Sequence, residues 1–160
     1  MKCRLAPVAI VAAIVLASCG SSSTLSSDQY SGLQAQGKQF ASSFRAIEVD
    51  ASACAAKRKV SSTGALDNLN SCLVAALGKA QTGLGRIASY AEKLSGQVDG
   101  SCSTELKALS AATTDVQASF AKAETEARKG DRAAMQATLT SIKATEITSS
   151  GSAAEKACKG

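Results

Sequence analysis

The chain has 160 residues, a formal net charge of +5 and no histidine, and 45% of its residues are hydrophobic. Without histidine the most common general base is missing, so Ser-His-Asp and Cys-His catalysis are excluded and we expect no enzyme. The length fits one domain, and the mild charge argues against a nucleic-acid-binding protein, which concentrates basic residues on one face.

The N-terminus has the pattern of an export signal. Lys2 and Arg4 give a positive start, and the uncharged, mostly apolar run of residues 5–17 follows. This run is shorter than the ~20 residues that a resident membrane helix needs. We therefore interpret residues 1–18 as a signal peptide that is removed on export. Its removal leaves 16 basic and 13 acidic residues, a net charge of +3.

The segment LASC, residues 16–19, resembles the lipobox of bacterial lipoprotein precursors, which consists of a leucine, two small residues and a cysteine. The resemblance implies cleavage before Cys19, a thioether-linked diacylglycerol on its sulfur, and an acyl chain such as palmitate on the new amino terminus. It thereby implies a lipid-anchored protein of the bacterial cell envelope that faces away from the cytoplasm. Gly20 in place of an aspartate implies the outer membrane if the host is Gram-negative. The alternative is a plain secretory signal that contains a cysteine.

A serine-rich segment follows the lipobox cysteine. Residues 20–27 are mostly small and polar, which is typical of a flexible coil. We therefore assign residues 19–27 to the acylated cysteine and a tether, and residues 28–160 to one helical domain. The membrane, reached through the lipid anchor, is the first expected partner.

The domain carries apolar or small residues at alternating steps of three and four, the spacing of helices that pack along a seam. The first stripe runs from Tyr30 to Cys54, the second from Leu66 to Val98 and the third from Cys102 to Ala127. Ser26 with Gln29 fits a capping box at the start of the first helix.

A fourth stripe begins with Met135, Leu139 and Ile142 and loses its phase at Ile147. The segment SSGS, residues 149–152, is where we expect this helix to kink or break. Gly130 followed by Asp131 fits a helix stop and the N-cap of the next helix. Short connections favour antiparallel neighbours, so the sequence predicts an all-α fold, an up-down-up-down four-helix bundle with two disulfides.

The disulfide prediction rests on this topology. Exported proteins occupy an oxidising space, so the four cysteines of the domain are expected to pair. Cys54 and Cys72 lie at the distal end of the predicted bundle, whereas Cys102 and Cys158 lie at the membrane-proximal end. Other pairings would have to span ~30 Å, but a disulfide holds two Cα atoms ~4.4–6.8 Å apart. We therefore predict Cys54–Cys72 and Cys102–Cys158.

Free buried thiols or a metal site are the alternative to these disulfides. The chain has no CxxC motif and no histidine, so we expect neither a metal nor a cofactor. Glu124 and Glu126 are two residues apart and point to different helix faces, which does not suit paired acid–base chemistry. The segment GLGRIA, residues 83–88, matches GxGxxA by letter, but no predicted strand precedes it. We interpret its glycines as aids to close helix packing.

The predicted topology brings two basic loops together at the distal tip. Their basic residues are Lys57, Arg58, Lys59, Arg128, Lys129 and Arg132. This basic tip could bind an acidic envelope partner, although cations at helix ends also offset the helix dipole. We expect a tethered, non-catalytic interaction or structural module. The alternatives are a carrier of a small apolar ligand between the helices and an inhibitor of an envelope enzyme.

Overall fold

The computed structural model describes residues 23–56, 63–142 and 144–159, without the side chains of residues 43–56, 63–69 and 144. Five helices and no strand occupy these ranges, which confirms the prediction of an all-helical fold. In chain order the helices are α1 (Ser27–Ala56), α2 (Thr63–Ser95), α3 (Gly100–Arg128), α4 (Arg132–Thr140) and α5 (Ala144–Cys158).

The predicted capping box opens α1. The Ser26 N–H donates to Gln29 Oε1 at 2.9 Å, and the Gln29 N–H donates to Ser26 Oγ at 3.3 Å. Leu25, just before this box, is buried, and its N–H donates to the Cys158 carbonyl at 3.2 Å. Folded structure therefore begins ahead of residue 28, inside the segment that the sequence analysis assigned to the tether.

Helices α2 and α3 pack along each other with reversed chain directions. Ser103 Oγ donates to the Ser95 carbonyl at 2.8 Å, and Ser110 Oγ donates to the Ala88 carbonyl at 3.1 Å, so later residues of α3 meet earlier residues of α2. The predicted apolar stripe of α3 is confirmed, because all its members are buried. These are Cys102, Leu106, Leu109, Thr113, Val116, Phe120, Ala123 and Ala127.

Helices α4 and α5 stand where one fourth helix was predicted. The Thr140 and Ser141 hydroxyls donate to carbonyls of the preceding turn, and the Ile142 N–H bonds a carbonyl three residues back. The tightened backbone bond at Ile142 is typical of the last turn of a helix, and α4 ends here. The expected break at residues 149–152 is wrong, since this segment lies inside α5. The buried Cys158 at the end of α5 holds that helix against α3.

The turn between α3 and α4 follows the predicted chemistry. Gly130 has φ 76°, a left-handed conformation that glycine adopts without a Cβ clash. Asp131 is the N-cap of α4, and its carboxylate accepts a hydrogen bond from the Ala134 N–H at 2.9 Å. The stop and the cap are both confirmed.

The core contains one described disulfide. Cys102 and Cys158 are bonded, with Cα atoms 4.7 Å apart, and both residues are completely buried. The prediction of this pair is confirmed. Cys72 is also disulfide-bonded, but the side chain of Cys54 lies outside the described set, so the pair Cys54–Cys72 stays a prediction.

Candidate functional site

A groove separates α1 from α5 and encloses about 290 Å³. Tyr30, Leu33 and Phe40 of α1 form one wall, and all three are only half-buried. Ile87 of α2 and Leu109 of α3 form a buried apolar floor. The α5 wall holds Ile147, Thr148, Gly151, Ser152 and Glu155. This α1–α5 groove is mainly apolar and lies along the seam where α1 would otherwise meet α5.

Two glycines keep the α1–α5 groove open. Gly37 faces it from α1 and Gly151 from α5, and a Cβ built on either residue meets no atom within 4 Å. Phe40 packs on α2 instead of crossing the groove, because its Cδ2 atom would lie 2.9 Å from a Cβ on Gly83. The interpretation of the GLGRIA glycines as packing aids is therefore supported at Gly83. The groove remains open because glycines occupy positions 37 and 151, where larger side chains would fill it.

One end of the α1–α5 groove is polar. The Tyr30 hydroxyl donates to Glu155 Oε1 at 2.6 Å, and the Gln34 side-chain amide donates to the same oxygen at 3.3 Å. The hydrogen bond from Tyr30 is the main cause of the lowered pKa of Glu155, and the bond from Gln34 lowers it further. The bond between Tyr30 and Glu155 also raises the pKa of Tyr30. An ionised carboxylate therefore lies at the end of a mainly apolar groove.

The polar end of the groove can hold the polar group of a ligand. Tyr30 and Glu155 are the titratable residues of the described lining, and they are hydrogen-bonded to each other. The Tyr30 hydroxyl donates a hydrogen bond to the carboxylate, so the pair holds its geometry and the carboxylate can still accept from a further donor. The arrangement can orient the polar end of a ligand whose apolar part occupies the groove.

A second depression lies between α1 and α2, with a volume of about 560 Å³. It is wider and more open to solvent than the α1–α5 groove. Its lining includes Gln36, Arg86, Ser89 and Lys93, all polar or charged. Because this depression is shallow and open, it would leave much of an apolar ligand exposed to water, so the α1–α5 groove is the better candidate site.

The predicted basic tip is described only in part. Lys57, Arg58 and Lys59 lie outside the described residues, so the predicted meeting of the two basic loops stays a prediction. Asp131 lies among the basic residues of the α3–α4 turn, and its carboxylate caps α4. The part of the tip that can be examined is the α3–α4 turn.

The basic residues of this turn have local partners. Arg128 Nε donates to Glu124 Oε1 at 2.9 Å, and Lys129 Nζ donates to Glu126 Oε1 at 3.3 Å. Arg132 donates to a side-chain oxygen of α2 at 3.3 Å. The bond from Arg128 lowers the pKa of Glu124, which keeps its carboxylate ionised. The local acids offset part of the positive charge that the sequence analysis assigned to this surface.

The sequence analysis kept an apolar ligand between the helices as an alternative but did not locate the α1–α5 groove. Tyr30, Leu33, Gly37 and Phe40 were interpreted as a seam buried between helices, because their spacing is the same in either case. The phase change at Ile147 was the available signal. An apolar residue out of step with its stripe, together with a glycine at position 37, indicates a place where two helices do not close.

The described part of the chain contains neither a metal-binding cluster nor a membrane-spanning helix. No group of three or more cysteine, aspartate, glutamate or histidine side chains gathers there in a geometry that would hold a metal. No helix in the same ranges is both long enough and apolar enough to cross a bilayer. The lipidation candidate, Cys19, lies outside the described residues.

Comparison with protein families, curated proteins and solved structures finds no match to this chain.

Proposed function

We propose that the protein is a lipid-anchored module of the bacterial cell envelope that works by binding and not by catalysis. The LASC segment at residues 16–19 supports the anchor, and the absence of histidine from the sequence supports the non-catalytic role. The anchor is on Cys19, the protein faces away from the cytoplasm, and Gly20 assigns it to the outer membrane if the host is Gram-negative. No cofactor takes part.

The LASC segment carries this proposal, and the length of the tether follows from the position of Leu25. Its backbone is hydrogen-bonded to Cys158, so the domain begins six residues after Cys19. Six residues of extended chain span about 20 Å. The end of the domain that holds the Cys102–Cys158 disulfide therefore stays close to the membrane surface. A tether this short favours a partner or ligand at the membrane over one deep in the envelope space.

The complete topology is part of the proposal. We infer an up-down-up-down bundle in which α4 and α5 together take the fourth position. The reversed order of contacts between α2 and α3 supports it, as does the order between α1 and α5. Tyr30 meets Glu155, whereas Leu25 meets Cys158 further along α5.

The second disulfide belongs to the same proposal. Cys102 and Cys158 are bonded to each other, and Cys72 is disulfide-bonded. After removal of the signal, Cys54 and the acylated Cys19 are the remaining cysteines of the chain. Cys54 is therefore the proposed partner of Cys72.

The α1–α5 groove supports a second candidate function, the carriage of a small apolar ligand. Its volume of about 290 Å³ lies at the lower end of the range for ligand pockets. Glu155, at its polar end, is one helical turn from Cys158, and so lies near the membrane-proximal end. The basic tip has weaker support, because its described cations have local partners, and an acidic partner or an envelope enzyme there is the remaining alternative.

The anchoring proposal is tested by membrane fractionation of Cys19→Ala expressed in the native host. We expect this variant to leave the membrane fraction, since the acylation site is gone. The matched control is Cys3→Ala, which removes a cysteine from the signal and leaves the lipobox intact. Retention of Cys19→Ala in the membrane to the same extent as Cys3→Ala would contradict the proposal.

A further inference from the structure

We propose that the α1–α5 groove binds a small amphiphile with an apolar body and a cationic or hydrogen-donating head, held by Glu155. The inference deepens the carrier function proposed above, because it assigns the chemical class of the ligand. It is independent of the anchor.

The apolar body is favoured by the groove walls. Leu33, Phe40 and Ile147 are half-buried in the groove walls, and Ile87 and Leu109 close the groove floor. A ligand in this position would remove the remaining exposed area of the three half-buried side chains from water. Each removed square ångström of apolar surface contributes about 25 cal/mol. The small volume selects a single short chain or one ring.

The carboxylate of Glu155 at the polar end of the groove favours a ligand with a cationic or hydrogen-donating head. Tyr30 and Gln34 both donate to Glu155 Oε1, so the carboxylate is held in place. Its lowered pKa keeps it charged at neutral pH. A carboxylate is an acceptor only, so it attracts an ammonium group or a hydroxyl donor and repels an anionic head. Lys159, directly after α5, also lowers the pKa of Glu155 and offsets part of its negative charge.

The test compares three probes with the same alkyl chain, namely n-octylamine, n-octanol and octanoate. Binding to the full chain carrying Cys19→Ala is measured by isothermal titration calorimetry at pH 7 and low salt. We expect octylamine to bind about fivefold more tightly than octanoate, which is the upper range for an exposed ion pair, with octanol in between. In Glu155→Gln the ratio between octylamine and octanoate should fall to near one.

Steric variants locate the site. Gly37→Leu and Gly151→Leu each place a side chain in the open groove and should abolish binding of every probe. Gly78→Leu is the matched control, because a Cβ at Gly78 also meets no atom within 4 Å but lies outside the groove lining. All three changes replace a helical glycine by a better helix former, so circular dichroism should show intact folding.

Each outcome has a distinct meaning. Octanoate binding as tightly as octylamine would overturn the assignment of the head while leaving the carrier function in place. Binding that survives both Gly37→Leu and Gly151→Leu would place the ligand elsewhere and overturn the inference. Absence of binding by all three probes would overturn the inference and the carrier function together. None of these results alters the fractionation expected of Cys19→Ala.

Discussion

Removal of the Cys102–Cys158 disulfide should cost a large part of the domain's stability. The double variant Cys102→Ala/Cys158→Ala frees a loop whose ends are 56 residues apart in sequence. Loop-closure entropy for this length corresponds to about 4 kcal/mol at 25 °C. Whole domains have only about 5–15 kcal/mol, so the variant should remain folded with a much reduced margin. For a domain of this size the melting temperature should fall by about 15 °C.

The assay is urea unfolding of the wild type and the double variant, followed by circular dichroism. The midpoint should fall, and the m-value should rise because the unfolded chain without the cross-link is more expanded. Both cysteines are fully buried, so a reductant alone should leave the bond intact until urea opens the fold. Adding the reductant to the double variant then measures the disulfide of Cys72 separately.

A loss of less than about 1 kcal/mol would refute this reasoning. It would mean that the unfolded chain is already compact between the two cysteines, or that α5 is held against α3 by other contacts. Rapid reduction of the bond in the native protein would contradict the burial of Cys102 and Cys158.

Three further predictions concern the core, the acid response and the tip. Leu84→Ala, at a completely buried position, should cost about 2–5 kcal/mol in urea unfolding, whereas Leu33→Ala in the half-open groove should cost less than half as much. The pKa of Glu124 is lowered in the folded state, so its stabilising contribution is present above the ordinary glutamate pKa and is lost as the pH falls through the lowered value. The difference in unfolding midpoint between pH 7 and pH 3 should therefore be smaller for Glu124→Gln than for the wild type. Arg128→Glu/Lys129→Glu should lower stability by about 0.5–1 kcal/mol and leave the envelope proteins recovered in a pull-down unchanged, whereas loss of a partner would assign binding to the tip.

Much of the helical scaffold could be predicted from the sequence, and α3 shows why. Its stripe from Cys102 to Ala127 keeps one phase, and a helix with one apolar face has only one way to bury it. The capping box at Ser26 and the turn at Gly130 were equally accessible, because each depends on local chemistry. The Cys102–Cys158 pair followed from the length and direction of the helices.

The remaining features depend on competition between distant parts of the chain. The helix break near Ser141 is marked by tightened backbone bonds that the apolar spacing does not reveal, whereas the glycine of residues 149–152 stays helical within α5, whose end is bonded to α3 through Cys158. The α1–α5 groove depends on the packing of Phe40 against Gly83 of α2, which keeps the Phe40 ring out of the groove. Contacts of this kind form only in the packed molecule, so they cannot be predicted from helical spacing.

The most direct test of the central claim is the intact mass of the protein extracted from membranes of the native host. The account predicts a chain that begins at Cys19 and carries the added mass of a diacylglycerol and an N-linked acyl chain. Reduction should add the mass of four hydrogen atoms, two for each of the two proposed disulfides. A chain that begins at any other residue, or an unmodified Cys19, would contradict the proposal that this domain is held at the membrane by lipid.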